Sequence, residues 1–215
     1  MQQNATRNSA KPSTRPSAHD LQGKRVAMLL TDGVEQVEYT EPRSFLEQHG
    51  VQVTLVSPKP AGDDIQGFDH LTPDKKIPVD KVLDSVRPDQ YDGLVLPGGA
   101  NNPDRLRIEP SVQSFVRAFF DAGKPVGVIC HAPWILIDAG LASGRKLTSY
   151  KTIRQDLKNA GAEVVDEEVV VDKGLITSRD PGDLPAFCAK LIEEFAEGKH
   201  REQAEKAQAS ESQAA

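Results

Sequence analysis

Gly123-Lys124-Pro125-Val126-Gly127-Val128-Ile129-Cys130-His131-Ala132-Pro133-Trp134 joins a short apolar run to a helical pattern, with a thiol at the corner. The run ends abruptly at Cys130, and Pro133 opens a pattern that continues through Ile135, Leu136 and Ile137. Proline is favoured in a first helical turn, where its missing N–H would be unpaired anyway. The strand-to-helix corner has the form of a nucleophile elbow, a sharp turn that exposes its reactive side chain above a parallel sheet. A thiol there meets free N–H groups and the positive end of a helix dipole, which predicts a pKa lowered from about 8.5 towards 3.5–7.5.

Outward from this corner, apolar runs alternate with helical patterns, the sign of a parallel sheet covered on both faces. Strands are predicted at Arg25–Leu30, Val51–Ser57, Gly93–Leu96 and Pro125–Ile129. Helices are predicted at Glu41–His49, Ser111–Ala122, Pro133–Ala139, Thr152–Ala160 and Asp183–Ala196, the first starting or kinking at Pro42. Within Ser111–Ala122, Val112, Phe115, Val116 and Phe119 recur at three- and four-residue spacing. Val164–Val165, Val169–Val171 and Leu175–Ser178 read as short strands, the last two joined by an Asp172-Lys173-Gly174 hairpin loop. The pattern describes one doubly wound α/β domain over residues 21–197.

The chain has 215 residues and a net charge of −6, enough length for a well-buried core and no basic balance that would suit nucleic acid. No apolar stretch approaches a membrane span of about 18 residues. Two cysteines, Cys130 and Cys188, are too few for a disulfide framework. With no apolar signal core at the start, a reducing cytoplasm is the expected location. Residues 1–20 are rich in Ser, Thr, Asn, Gln and Pro and are expected to be a disordered extension. Arg7, Lys11 and Arg15 with no acid before Asp20 suit a transit peptide in composition, but they lack an amphipathic face. Residues 198–215 permit a helix yet show no apolar stripe, so they read as a disordered or frayed helical tail.

Ligands of open α/β sheets bind beyond the carboxyl ends of the strands. Three predicted strand ends carry Thr31 to Glu38, Pro97 to Arg105, and Cys130-His131. Gly98-Gly99 allows close backbone approach, and the N–H groups of Gly99 and His131 could form an oxyanion hole. Glu35 and Glu38 share one face of a helical turn. A carboxyl turned towards Cys130 would be desolvated, protonated and able to hydrogen-bond the sulfur. His131 needs an orienting acceptor that local spacing does not identify, and its side chain at a turn is free to diverge from the thiol. Cys188, beside Phe187 and near Leu184, Leu191 and Phe195, reads as a small buried hydrophobe. There is no Cys-x-x-Cys, His-x-x-x-His or acidic calcium loop, so neither a metal site nor a cofactor is expected.

Taken together, these residues resemble the PfpI-type intracellular protease family, within the superfamily of the human parkinsonism-associated deglycase and the class I glutamine amidotransferase-like fold. The resemblance spans about residues 24–196. It rests on Glu35-Gln36-Val37-Glu38, Leu94-Val95-Leu96-Pro97-Gly98-Gly99, Pro103-Asp104-Arg105, Ile129-Cys130-His131-Ala132-Pro133, Thr148-Ser149-Tyr150 and Glu168 to Asp172. It implies a flavodoxin-like three-layer sandwich with Cys130 as nucleophile, His131 as its partner and Glu38 as the carboxyl contacting it. Asp104 matches a family Glu that reaches the Cys-His pair of a neighbouring subunit, here one methylene shorter, which implies a homodimer or higher homo-oligomer. Tyr150 matches a tyrosine near the pocket, and Trp134 adds bulk there. No His-x-Glu follows the nucleophile, which argues against amidotransfer. The family implies a stress-response deglycase or glyoxalase acting on methylglyoxal or its early adducts. An ATP-independent cysteine peptidase and a redox sensor or chaperone are the alternatives.

Overall fold

A computed structural model describes residues 21–214; the expected N-terminal extension lies outside the described residues. In chain order the elements are β1 (Arg25–Leu29), β2 (Val34–Glu35), α1 (Gln36–Gln48), β3 (Gln52–Ser57), β4 (Asp64–Asp69), β5 (Thr72–Pro78), β6 (Lys81–Val82), β7 (Gly93–Leu96), α2 (Asn101–Leu106) and α3 (Pro110–Asp121). They continue as β8 (Val126–Ile129), α4 (Pro133–Asp138), β9 (Lys146–Leu147), α5 (Arg154–Asn159), β10 (Glu163–Val164), β11 (Val169–Asp172), β12 (Leu175–Ser178), α6 (Leu184–Glu197) and α7 (Arg201–Ala214).

The central sheet runs β11-β12-β8-β7-β1-β3-β6, parallel throughout except for the β11–β12 pair. The strands β3-β1-β7-β8-β12 have the flavodoxin-like order, whose switch point falls between β1 and β7. Both faces are covered, and alternate side chains show it. Ala27 and Leu29 of β1 join a core with α3 and α4, whereas Val26 and Met28 join a second core with α1 and α6. The result is the doubly wound three-layer sandwich expected from the alternating pattern.

Lys173 (φ 55°) and Gly174 (φ 86°) make the two-residue turn between β11 and β12. Two adjacent left-handed residues match the right-handed twist of a hairpin. Helix α1 begins at Gln36 and passes through Pro42, five residues ahead of the expected start. Burial decides this: Gln36, Glu38, Tyr39, Pro42 and Leu46 all face inward, and that packing outweighs the one helical hydrogen bond proline removes. The β4–β5 hairpin forms a separate small sheet with β2, and its second strand is mostly exposed. Its sequence, Thr72-Pro-Asp-Lys-Lys-Ile-Pro78, carries too few apolar residues to reveal a strand.

The C-terminal tail differs most from expectation. It forms α7, which packs against α3. Gln203 is buried and its side-chain amide donates to the Lys124 carbonyl, while Ala207 joins the α3–α4 core. One alanine and one glutamine make a contact stripe too narrow to register as an apolar face. Filling it should be costly: Ala207→Leu is expected to lower stability by about 1–3 kcal/mol, as overpacking does. Urea denaturation of the full chain checks this, and an unchanged midpoint would show that α7 does not dock.

Candidate active site

The corner after β8 is strained in the manner of an elbow. Cys130 has φ 63°, a conformation that costs a non-glycine residue about 1–3 kcal/mol and survives only when its surroundings impose it. Here its N–H donates to the Ser178 carbonyl at 3.1 Å and its carbonyl accepts the Tyr150 N–H at 2.9 Å, so β12 and the segment before α5 clamp it from two sides. The side chain is only 5% exposed.

Glu38 meets this sulfur from the first turn of α1, with no exposed surface. Its Oε2 accepts the Gly98 N–H at 2.8 Å, and Oε1 has no hydrogen-bond partner. Gly98 makes the approach possible, since a Cβ there would lie 2.6 Å from Cys130 Cβ and 2.7 Å from Glu38 Oε2. Burial pushes the Glu38 pKa up to about 8, so the carboxyl keeps its proton at neutral pH. Burial likewise pushes the Cys130 thiol up, and an ionised Glu38 would push it further. The N–H groups of Gly99 and His131 act against that by hydrogen-bonding the sulfur. The elbow therefore does not lower the thiol pKa by itself, contrary to the expectation from the corner. Helix α4 has only six residues, and burial is the largest influence on the sulfur. While Glu38 is protonated its charge is absent, and its O–H becomes a further donor for a sulfur anion.

His131 stays with the thiol rather than diverging from it. Its Nδ1 lies 3.1 Å from Cys130 Sγ, and its Nε2 lies 3.3 Å from Thr152 Oγ1. Burial lowers the imidazole pKa, which keeps the ring neutral with one nitrogen free to accept. If Nδ1 accepts the thiol proton, Nε2 carries the ring hydrogen and can donate to Thr152. The ring is held between Tyr150 and Trp134, with centroids 4.6 and 5.5 Å away.

A cavity of about 500 Å³ opens over the sulfur, lined by Glu35, Glu38, Gly99, Cys130, His131 and Tyr150 among the expected residues. His70, Leu71, Ala100, Asp180, Pro181 and Gly182 complete it. Glu35 accepts the His70 N–H at 3.1 Å, and burial raises its pKa. Gly99 requires its φ of 78°, because a Cβ there would lie 2.4 Å from the Gly33 carbonyl oxygen. Gly98 and Trp134 do not line the cavity. Gly98 lies beneath it, against Glu38 and Cys130, and Trp134 backs the outer side of His131 while its Nε1–H donates to Asp156 at 2.9 Å. Asp104 is exposed on α2 and does not line the cavity either. Cys188 is buried with its thiol pushed up to about 12, as suits a packing residue.

Four contributors escaped the sequence reading. Asp180 follows β12, so the rule that located the other loops at strand ends applies to it as well. Thr152 sits just after Tyr150, where sequence gives no cue to its contact with His131. His70 and Leu71 sit at the tip of the β4–β5 hairpin, whose strands were not legible. Leu71 is 93% exposed at the cavity mouth.

Among the described residues no helix is long and apolar enough to cross a membrane. The chain is 46% identical over 170 residues to the Escherichia coli protein named protein/nucleic acid deglycase 2, covering 79% of this chain and 96% of that one. It is 42% identical over 166 residues to general stress protein 18 of Bacillus subtilis, covering 77% and 94%. The crystal structure of Drosophila melanogaster DJ-1beta superposes with a TM-score of 0.74 at 31% identity, covering 86% of this chain and 95% of that chain. The sequence profile of the DJ-1/PfpI family matches residues 24–194, and the chain belongs to that family.

Proposed function

We propose that this protein is a cysteine-dependent hydrolase of the deglycase type, acting on methylglyoxal or on its early adducts with amino and thiol groups. The observation that carries the reading is the Cys130–His131 pair at 3.1 Å, set beside a protonated, fully buried Glu38. The names of the Escherichia coli relative and of the Pyrococcus furiosus protein called deglycase PfpI, 40% identical over 169 residues, support it.

In this mechanism Cys130 Sγ adds to the carbonyl carbon as its proton passes to His131 Nδ1, the neutral base within reach. The carbonyl oxygen turns towards the Gly99 and His131 N–H groups, donors of the kind worth roughly 3–4 kcal/mol each in hydrolases. The protonated Glu38 donates its O–H to the sulfur as charge builds there and so stabilises the attacking anion. From methylglyoxal, His131 then moves a proton between the two carbons of the hemithioacetal, giving a thioester. Water hydrolyses it to lactate and restores the thiol. From an amine adduct, Sγ displaces the amine at the hemiaminal carbon while His131 passes the thiol proton to the departing nitrogen, which gives the same hemithioacetal. The Thr152 hydroxyl, 3.3 Å from Nε2, can accept from or donate to the ring as His131 moves its proton.

The peptidase reading needs an acid on His131, and among the described residues Nε2 meets Thr152 rather than a carboxylate. Asp104 could serve there only from a second copy of the chain, for which its exposed position on α2 is suitable.

Incubation with methylglyoxal is expected to yield lactate, and Cys130→Ser is expected to abolish it. Equal lactate from Cys130→Ser would remove the mechanism. Glu38 also leaves a mark on stability. Its folded pKa of about 8 lies above the model-compound value of 4.5, so the folded state holds the extra proton between those two values. Stability from this group is complete below about pH 4.5 and is lost as pH rises through about 8. Relative to Glu38→Gln, the wild type should therefore lose roughly 2–5 kcal/mol across that range. Parallel urea titrations at pH 5 and pH 9 measure the difference; a constant offset between the two proteins would contradict a buried, proton-holding carboxyl.

A further inference from the structure

At the opposite end of the sheet from Cys130, the last turn of α6 and the start of α7 bring together Glu194, Glu197 and His200. Each offers one ligand atom, and these atoms all lie within 4.8 Å of one another. The chain is built to converge here. Glu194 and Glu197 are three apart, so they share one face of α6. Gly198, with φ 85°, ends the helix and turns the backbone. The His200 N–H donates to the Gly123 carbonyl at 2.7 Å, and its ring lies against Gly174, which places it at the N-terminal ends of β8 and β12.

Two atoms in this group are unusual. Glu194 is only 8% exposed, and its Oε2 makes no hydrogen bond. His200 Nε2 is buried and also makes none, although the two atoms face each other at 3.3 Å. A buried carboxylate oxygen without a donor costs free energy, and at a helix C-terminus the dipole adds to that cost. Protein–zinc bonds to N and O are about 2.0–2.1 Å, so two ligands of a tetrahedral ion lie about 3.3 Å apart. The Glu194–His200 separation has that value without any movement.

We infer that Glu194, Glu197 and His200 form a binding site for a divalent transition cation of the zinc class. Imidazole with two carboxylates suits such ions better than magnesium or calcium, and three protein ligands leave the fourth position for water. The absence of paired Cys or His spacing hid it, because its ligands straddle a glycine turn. The ion fastens the end of α6 to the residue that leads into α7, so its effect is on the docking of α7. The site is remote from the cavity and independent of the proposed hydrolysis.

The test uses the full chain freed of metal by a chelator and titrated with zinc chloride by calorimetry, in a Cys130→Ser/Cys188→Ser background that removes thiolate ligands. One zinc per chain and a rise in melting temperature are expected. Glu194→Gln, Glu197→Gln and His200→Asn should each weaken binding by more than the roughly 10-fold that even outer-shell substitutions cost. Asp69→Asn, in the group of Glu35, Asp69 and His70 at the cavity mouth, should leave it unchanged. Far-UV circular dichroism confirms that each variant is folded. No zinc uptake, uptake that survives His200→Asn, or uptake lost in Asp69→Asn would overturn the assignment and leave Glu194 and His200 as a simple ion pair.

Discussion

The contact between Glu38 and Cys130 constrains the rest of this molecule. A carboxyl with no exposed surface accepts one N–H, from Gly98, and sits beside a sulfur that is itself buried. Neither group can ionise cheaply in that environment, and both cannot ionise together. Each of the three loops that meet at the switch point of the sheet supplies one part of the arrangement. The loop after β1 leads into the first turn of α1 and delivers Glu38, the glycine pair after β7 removes the Cβ that would separate them, and the elbow after β8 delivers the sulfur. The left-handed backbone of Cys130 is tolerated because β12 and the segment after β9 bond to both sides of it.

The same contact changes how the nucleophile is prepared. A thiol at an exposed helix N-terminus would carry its charge at rest. Here desolvation opposes the charge, and a neutral imidazole lies 3.1 Å from the sulfur. Tyr150 and Trp134 fix the plane of that imidazole from its two faces.

Much of this was legible in the sequence because parallel strands buried on both faces leave unmistakable apolar runs. Gly93–Leu96 and Leu175–Ser178 match their strands residue for residue. The elbow was legible from Cys130 and Pro133 together, and the likeness to known relatives pointed to Glu38. What stayed hidden depends on tertiary contact. Helix α7 is held by Gln203 and Ala207, two residues that give no periodic signal. The charged second strand of the β4–β5 hairpin conceals the turn that brings Leu71 to the cavity mouth. Trp134 lies in the right sequence neighbourhood, but its helix turns it behind His131 rather than into the cavity. The corner that favours a thiolate is visible in sequence, whereas the burial that opposes it is not.

The central claim is that the proton on Glu38 controls the reactivity of Cys130. The rate of Cys130 alkylation by iodoacetamide, followed by mass spectrometry from pH 5 to 10 in the wild type and in Glu38→Gln, tests it most directly. The account predicts a wild-type profile that stops rising and falls as Glu38 ionises near pH 8, and a Glu38→Gln profile without that fall. Two superimposable profiles that climb steadily like an ordinary free thiol would contradict it.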